Sequence, residues 1–320
     1  MDSEIVWIIL LLTLTTAVFT FGGFVDINSS KSSKTFDEDD VTNIAHRGAR
    51  SLAPENTLMA ARTAYESGAD MWETDVQLTA DRVPVLIHDD TLERTTDAES
   101  VYPQRDGYTV SDFTLGEIKR LDSGSWFVAE DPFEEIEKGN VPPADVDSFS
   151  GLEVPTLEEG LELTAQLGWE VNLELKPIKN IEGDREELSK ILVNKVLALV
   201  EEEGLSEDVV VSSFDRSLVR LAKERNPEIR GALLVKSPDS GDVEWLETHR
   251  VDYYNVSGRS LLEDGEALKQ LTKMKEAKPD LGINVWTVNE PGDLEYLAGN
   301  QYIGGVITDF PQRLARIIDK

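Results

Sequence analysis

WEVNLELKPIKNIEGDREELSKILVNKVLALVEEEGLSEDVVVSSF, residues 169–214, decides the fold. WEVNLELK and DVVVSSF read as strands, and REELSKILVNKVLALVEEEG between them reads as a long helix. A strand, a helix and a strand in that order imply two parallel strands joined by a crossover. The rhythm continues downstream through RSLVRLAKERNP and IRGALLV, DVEWLETHR and VDYYNVS, EALKQLTKMKEAKP and INVWTVN, and DLEYLAG and YIGGVITDF. Upstream stand VTNIAH, the helix NTLMAARTAYESG closed by Gly68, the strands MWETDVQLT and VPVLIHD, and the helix TLEEGLELTAQLG. So many βα units in residues 41–320 predict a closed (β/α)8 TIM barrel, an α/β fold, rather than an open sheet. The strand candidates number nine for eight places. The link TADR between MWETDVQLT and VPVLIHD is too short for a crossover helix, so one of that pair is a hairpin or an extended excursion.

Residues 91–153 interrupt the rhythm with scattered Pro and Gly and an acidic patch at Glu130 to Glu137. They are expected to form a small insertion after the third barrel strand, over the C-terminal mouth. Residues 1–25 are expected to be an N-terminal membrane anchor, or a signal segment. Ile5 to Val25, IVWIILLLTLTTAVFTFGGFV, is uncharged and mostly apolar, and as a helix would span roughly 30 Å. Asp2 and Glu4 stand where a signal peptide carries basic residues, which favours an uncleaved transmembrane helix. Residues 26–40 read as a flexible linker. Lys31 and Lys34 after the helix would put the main domain in the cytoplasm, while an extracytoplasmic domain suits a supply of phosphodiesters equally well, so the side of the membrane stays open.

Composition narrows the chemistry. The chain of 320 residues has no cysteine, which excludes disulfides, thiolate catalysis and Cys-based zinc sites. Acidic residues outnumber basic ones 62 to 31, a formal charge of −31. A chain so acidic lacks the basic footprint of a nucleic-acid binder. The acid excess fits a well-solvated surface, and it also fits adaptation to high salt. Nothing in the sequence signals an oligomeric state.

Polar clusters end three strand candidates: His46-Arg47-Gly48, Glu73-Thr74-Asp75 and His88-Asp89. At the C-terminal ends of barrel strands such residues point into the active-site mouth. Glu73 and Asp75 are two apart and share a face. Converging carboxylates repel unless a cation lies between them, and oxygen ligands favour Mg²⁺ or Ca²⁺. Glu174, inside the apolar strand VNLELK, supplies a third carboxylate for one divalent cation. Lys176 shares its face and, with Arg47, is a cationic partner for a phosphate. His46 and His88 are two of only three histidines in the chain. Paired imidazoles on either side of a scissile P–O bond can act as general base and general acid. Taken singly, each of these features has an ordinary structural explanation; their joint occurrence at strand ends does not.

The pattern His-Arg-Gly, then Pro54-Glu55-Asn56-Thr57, then Glu-x-Asp, then His-Asp resembles the signature of the glycerophosphodiester phosphodiesterase family. VPTLEEGL, NLELK, SSFD, VWTVN and ITDFP extend the resemblance from Ile44 to the C-terminus. The resemblance implies a (β/α)8 barrel with an insertion after the third strand. It implies catalytic roles for His46 and His88, metal ligation by Glu73, Asp75 and Glu174, and phosphate contact by Arg47 and Lys176. It implies hydrolysis of a small glycerophosphodiester to glycerol 3-phosphate and an alcohol. A lysophospholipase D or phospholipase C-like enzyme acting on membrane lipids is the alternative, and a silent binding barrel is another. Trp286 is a candidate contact for the glycerol carbons, or a mouth aromatic. Asn56 is either a helix N-cap or a metal or phosphate contact. His249 reads as a surface residue and Phe214 as packing around the mouth.

Overall fold

The computed structural model describes residues 41–178 and 184–318. The expected anchor at residues 1–25 and linker at 26–40 lie outside the described residues. Among the described residues no helix is long and apolar enough to cross a membrane.

The strands are β1 (Thr42–Ala45), β2 (Met71–Leu78), β3 (Pro84–Leu86), β4 (Glu170–Leu175), β5 (Val209–Ser213), β6 (Arg230–Val235), β7 (Tyr253–Ser257), β8 (Gly282–Trp286) and β9 (Gly305–Thr308). Eight of them pair in parallel in the order β1-β2-β4-β5-β6-β7-β8-β9, and β1 also pairs with β9. The ladder therefore closes into a barrel and leaves no open edge. β3 is the surplus strand. Its one partner strand is β2, antiparallel, with Val76 opposite Leu86 and Leu78 opposite Pro84, and Val85 bridges to Thr156 on the other side. The short TADR link makes a hairpin, the one connection that it has the length to make.

This corrects the expected place of the insertion. It follows the third strand in chain order, but that strand is not a barrel stave. The insertion lies between the second and third staves, β2 and β4. Despite its scattered Pro and Gly and its acidic patch, it has a core of its own. It carries the short helices Ala98–Val101, Leu115–Ile118, Ser125–Glu130 and Pro143–Ser148. Phe113, Ile118 and Leu121 pack with Val85 and Ile87 of the hairpin. Phe127 and Phe149 pack with Ala53 and Ala60 beside β1. Each buried Phe contributes about 1.5–3 kcal/mol, enough to hold the insertion on the barrel. Scattered aromatics have no periodicity, so the pattern that reveals strands and helices missed this core.

Alternation along each stave divides its side chains. Val171, Leu173, Leu175, Val209 and Val211 point outward into the main core with the helices. Ile44, Met71, Val210, Ala232 and Ile307 point inward and fill the barrel below the mouth. Of the inward polar residues, Glu170 and Arg230 pair at the N-terminal ends of β4 and β6, while Glu73, Asp75 and Glu174 stand further along their strands, toward the mouth. The helices begin where side-chain oxygens satisfy free backbone N–H groups. Thr57 accepts from Ala60 N ahead of the helix Leu58–Glu66. Thr156 and Glu159 form a capping box on Leu157–Leu167.

Gly48 follows the first histidine cluster with φ +79°. A Cβ there would stand 2.6 Å from the carbonyl carbon of Ala60. Replacement by alanine adds backbone strain of about 1–3 kcal/mol and overpacking of about 1–3 kcal/mol. Gly48→Ala is thus expected to shift the denaturant midpoint sharply downward. A midpoint equal to that of the parent chain would show that the turn relaxes without cost.

Candidate active site

β1 delivers His46, whose backbone N–H donates to Thr308 O at the end of β9. The chain then turns through Arg47, at φ 53°, and the Arg47 N–H donates to Glu73 Oε2 at 2.9 Å. Glu73 and Asp75 both face the barrel interior, as their spacing requires. Parallel register sets Glu73 beside Asn172 and Asp75 beside Glu174. Oxygen atoms of Glu73, Asp75 and Glu174 all lie within 4.8 Å of one another, and all three residues are buried.

So much buried negative charge perturbs each group. Burial, then Asp75 and Glu174, push the Glu73 carboxyl well above its ordinary range. Burial and Asp75 push Glu174 up in the same way. Burial opposes the charge of Asp75 too, but Lys176 and Arg47 outweigh it and hold this carboxyl low. Glu73 Oε1 is buried and has no hydrogen-bond partner. An orphaned carboxylate oxygen facing two further carboxylates is an all-oxygen donor set with a deficit of positive charge. That set fits a hard divalent cation.

His46, Arg47, Glu73, His88, Glu174 and Trp286 line one cavity of about 110 Å³. Phe214, Leu234 and Ile307 give that cavity an apolar wall. The Trp286 indole donates to Asn255 O at 3.0 Å, and its ring meets Phe214 edge-on at 5.3 Å. Phe214 thus packs at the mouth, and Trp286 is positioned to offer a flat apolar surface.

The two phosphate candidates stand differently. Lys176 Nζ donates to Glu174 Oε1 at 2.7 Å and to Asp75 Oδ1 at 3.1 Å, so it neutralises the carboxylate cluster. Arg47 Nη1 donates to Glu55 Oε1 at 2.8 Å, and its Nε lies 3.3 Å from Asp75 Oδ2. Asn56 is not the N-cap. Thr57 caps the helix, while Asn56 Nδ2 donates to Asp75 Oδ2 and its Oδ1 accepts from the Thr74 hydroxyl. It orients a candidate ligand. His249 is half-buried against Trp245, far along the chain from this cavity.

A profile of the glycerophosphoryl diester phosphodiesterase family matches residues 46–313, from the first histidine into the last helix. The chain belongs to the glycerophosphoryl diester phosphodiesterase family. It is similar to a glycerophosphodiester phosphodiesterase of Caldanaerobacter subterraneus subsp. tengcongensis, with 32% identity over 87% of this chain and 97% of that protein. It is also 32% identical to a glycerophosphoinositol inositolphosphodiesterase of Mus musculus, over 78% of this chain but only 42% of the mouse protein. Among solved structures, a phosphodiesterase of Oleispira antarctica in complex with the product sn-glycerol-3-phosphate superposes with a TM-score of 0.70. That pair shares 29% identity over 87% of this chain and 96% of the other.

Sequence reasoning passed over several residues of this phosphodiesterase site. Asp309 follows β9, and its Oδ1 lies 2.6 Å from His46 Nδ1. Burial opposes the Asp309 charge, but His46 and Arg50 hold it below the ordinary carboxylate range. An ionised carboxylate only accepts, so Nδ1 carries the hydrogen and Nε2 is left for proton exchange. Burial and Arg47 in turn lower the pKa of His46 below 6.5. Asp309 sits in ITDFP, at a strand end, where the rule that singled out His46 applies equally. Glu55 is buried beneath Arg47, Arg50 and Arg94, and against the cost of burial these guanidiniums bring its pKa down to about 2. Asn172 Oδ1 and Ser212 Oγ line the cavity without hydrogen-bond partners. Nothing local in the sequence distinguishes these two from ordinary strand polars.

Proposed function

We propose that this chain hydrolyses a small glycerophosphodiester to glycerol 3-phosphate and an alcohol, using His46 as general base and His88 as general acid. One observation carries the reading: three buried carboxylates converge within 4.8 Å beside a cavity lined by two histidines, each held by an aspartate. Glu73, Asp75 and Glu174 would hold one divalent cation, Mg²⁺ or Ca²⁺. Bound there, it supplies charge stabilisation for the phosphoryl oxygens.

The remaining steps fall to this chain's own residues. The glycerol 2-hydroxyl gives its proton to His46 Nε2 and attacks phosphorus. His88 gives a proton from its own Nε2 to the departing alkoxide, and the P–O bond to the alcohol breaks. Water then opens the cyclic phosphate with the two roles exchanged. Arg47 lines the cavity and is the phosphate-facing cation. Lys176 contributes by holding Asp75 ionised and by opposing the upward push on Glu174, through its bonds to both, rather than by direct contact. Trp286, with Phe214, packs on the glycerol carbons.

The lipid alternative has less support. Phe113, Phe127 and Phe149 of the insertion are buried against the barrel and offer no surface to a lipid chain. Glycerophosphocholine and lysophosphatidylcholine, offered to the full chain with Mg²⁺ or with Ca²⁺, test the choice. Release of glycerol 3-phosphate from the first substrate alone is expected. Preferential turnover of the second would transfer the assignment to a lipid phosphodiesterase. Membrane attachment through residues 1–25 is part of the proposal and rests on the apolar sequence alone. Sedimentation of the full chain with membranes through a carbonate wash is the expected result.

A further inference from the structure

Arg94 belongs to the insertion, yet its guanidinium joins the two halves of the site. Its Nε donates to Asp89 Oδ2 at 2.5 Å. Its Nη1 and Nη2 donate to the two oxygens of Glu55, at 3.0 and 2.6 Å. The other oxygen of Asp89 lies 2.6 Å from His88 Nδ1. Glu55 also accepts from Arg47 and Arg50. The guanidinium further rests over the ring of Trp126, at 5.8 Å.

His88 needs such a brace and His46 does not. His46 follows a barrel stave paired on both sides, and its aspartate directly follows the adjacent stave. His88 lies beyond a three-residue hairpin strand outside the barrel, held by β2 on one side and by Pro155 and Thr156 on the other. The His88 and Asp89 side chains are 32% and 28% exposed, against 14% and 5% for His46 and Asp309. A partly exposed His–Asp pair at the end of so short a strand has several rotamers open to it. The planar fork of Arg94, tied to buried Glu55, leaves Asp89 one orientation. Lysine offers a point charge without that geometry.

We propose that Arg94 is a positioning residue for departure of the alcohol, fixing Asp89 so that His88 Nε2 faces the leaving oxygen. This rests on His88 being the general acid. The proton moves from Nε2 to the leaving oxygen as the P–O bond breaks, and Arg94 itself exchanges none.

The test uses two diesters of glycerol phosphate, one with choline and one with p-nitrophenol as the leaving group, and reads the release of that group in a single turnover, before water opens the cyclic phosphate with His88 as base. An alkoxide needs the proton; a nitrophenolate leaves without it. Arg94→Lys is expected to lower the single-turnover rate of choline release by about 10–100-fold, with the substrate concentration for half-maximal rate little changed. On the p-nitrophenyl ester it is expected to stay within about threefold of the parent chain. Asp89→Asn is expected to show the same contrast. Equal losses on both esters, as from a folding defect, or no loss on either, would overturn the role of Arg94. His88→Ala separates the two levels of the argument. If it shows the contrast and Arg94→Lys does not, the positioning role fails and the acid assignment stands. If His88→Ala loses equally on both esters, the acid assignment itself fails.

Discussion

His46→Ala is expected to lower kcat on a glycerophosphodiester by about 10²–10⁴-fold, the usual worth of a positioned acid–base group. KM is expected to change little, because the ring exchanges a proton and is not required for grip. The environment of His46 makes the expectation specific. The ring is largely enclosed, its Nδ1 is engaged by Asp309, and its Nε2 lies 3.9 Å from Glu73 Oε2 beside the cavity. Burial and Arg47 lower its pKa below 6.5, which keeps the ring neutral and able to accept a proton. The sign follows directly. A base must be unprotonated to work, so a lowered pKa carries activity to lower pH. The acidic limb of the kcat profile is therefore expected below pH 6.5 and is expected to vanish in His46→Ala. A variant retaining the parent kcat, or an acidic limb centred above 6.5, would remove His46 from the role of base.

Stripping the divalent cation with EDTA is expected to abolish turnover and also to change the stability of the protein. Glu73 and Glu174 have pKa values raised above the ordinary 4.5, by burial and by the neighbouring carboxylates. A carboxyl whose folded-state pKa is raised favours the fold while protonated. That contribution is present below the unfolded value and disappears as pH rises through the folded one. The metal-free protein is thus expected to lose stability as pH climbs above about 4.5. Asp75, held low by Lys176 and Arg47, acts in the opposite sense, and only below its unfolded value of 3.8. Added Mg²⁺ or Ca²⁺ is expected to restore the loss, by about 2.7 kcal/mol at a hundred times Kd. Glu73→Gln removes one of the repelling charges. It is expected to raise the melting temperature of the metal-free protein at neutral pH while eliminating both activity and the metal-induced rise. A melting temperature unaffected by either cation in the parent chain would argue against a metal site at these three residues.

The sequence and the structure meet at the strand ends. His46, Glu73, Asp75, His88 and Glu174 were legible because strand alternation and the C-terminal rule for barrel strands are local patterns. Asp309 obeyed the same rule yet went unnamed, since its meaning depends on His46, 263 residues away. Lys176 illustrates the limit from the other direction. Its spacing from Glu174 places it correctly, but a one-residue pattern carries no information on which anion claims the ammonium.

Local periodicity by itself determined the class of fold, the count of βα units, the hairpin as one resolution of nine strands in eight places, and the residues facing the mouth. Tertiary structure alone decided which strand is left outside the barrel, where the insertion enters, and which side chains pair across the site. The physical reason is range. Helix and strand patterns are written by neighbours two to four residues apart, where the backbone sets the geometry. Closure of β1 on β9, the bracing of His88 by Arg94 and the repulsion among Glu73, Asp75 and Glu174 join residues distant in sequence. Their energies exist only once the barrel has brought them together.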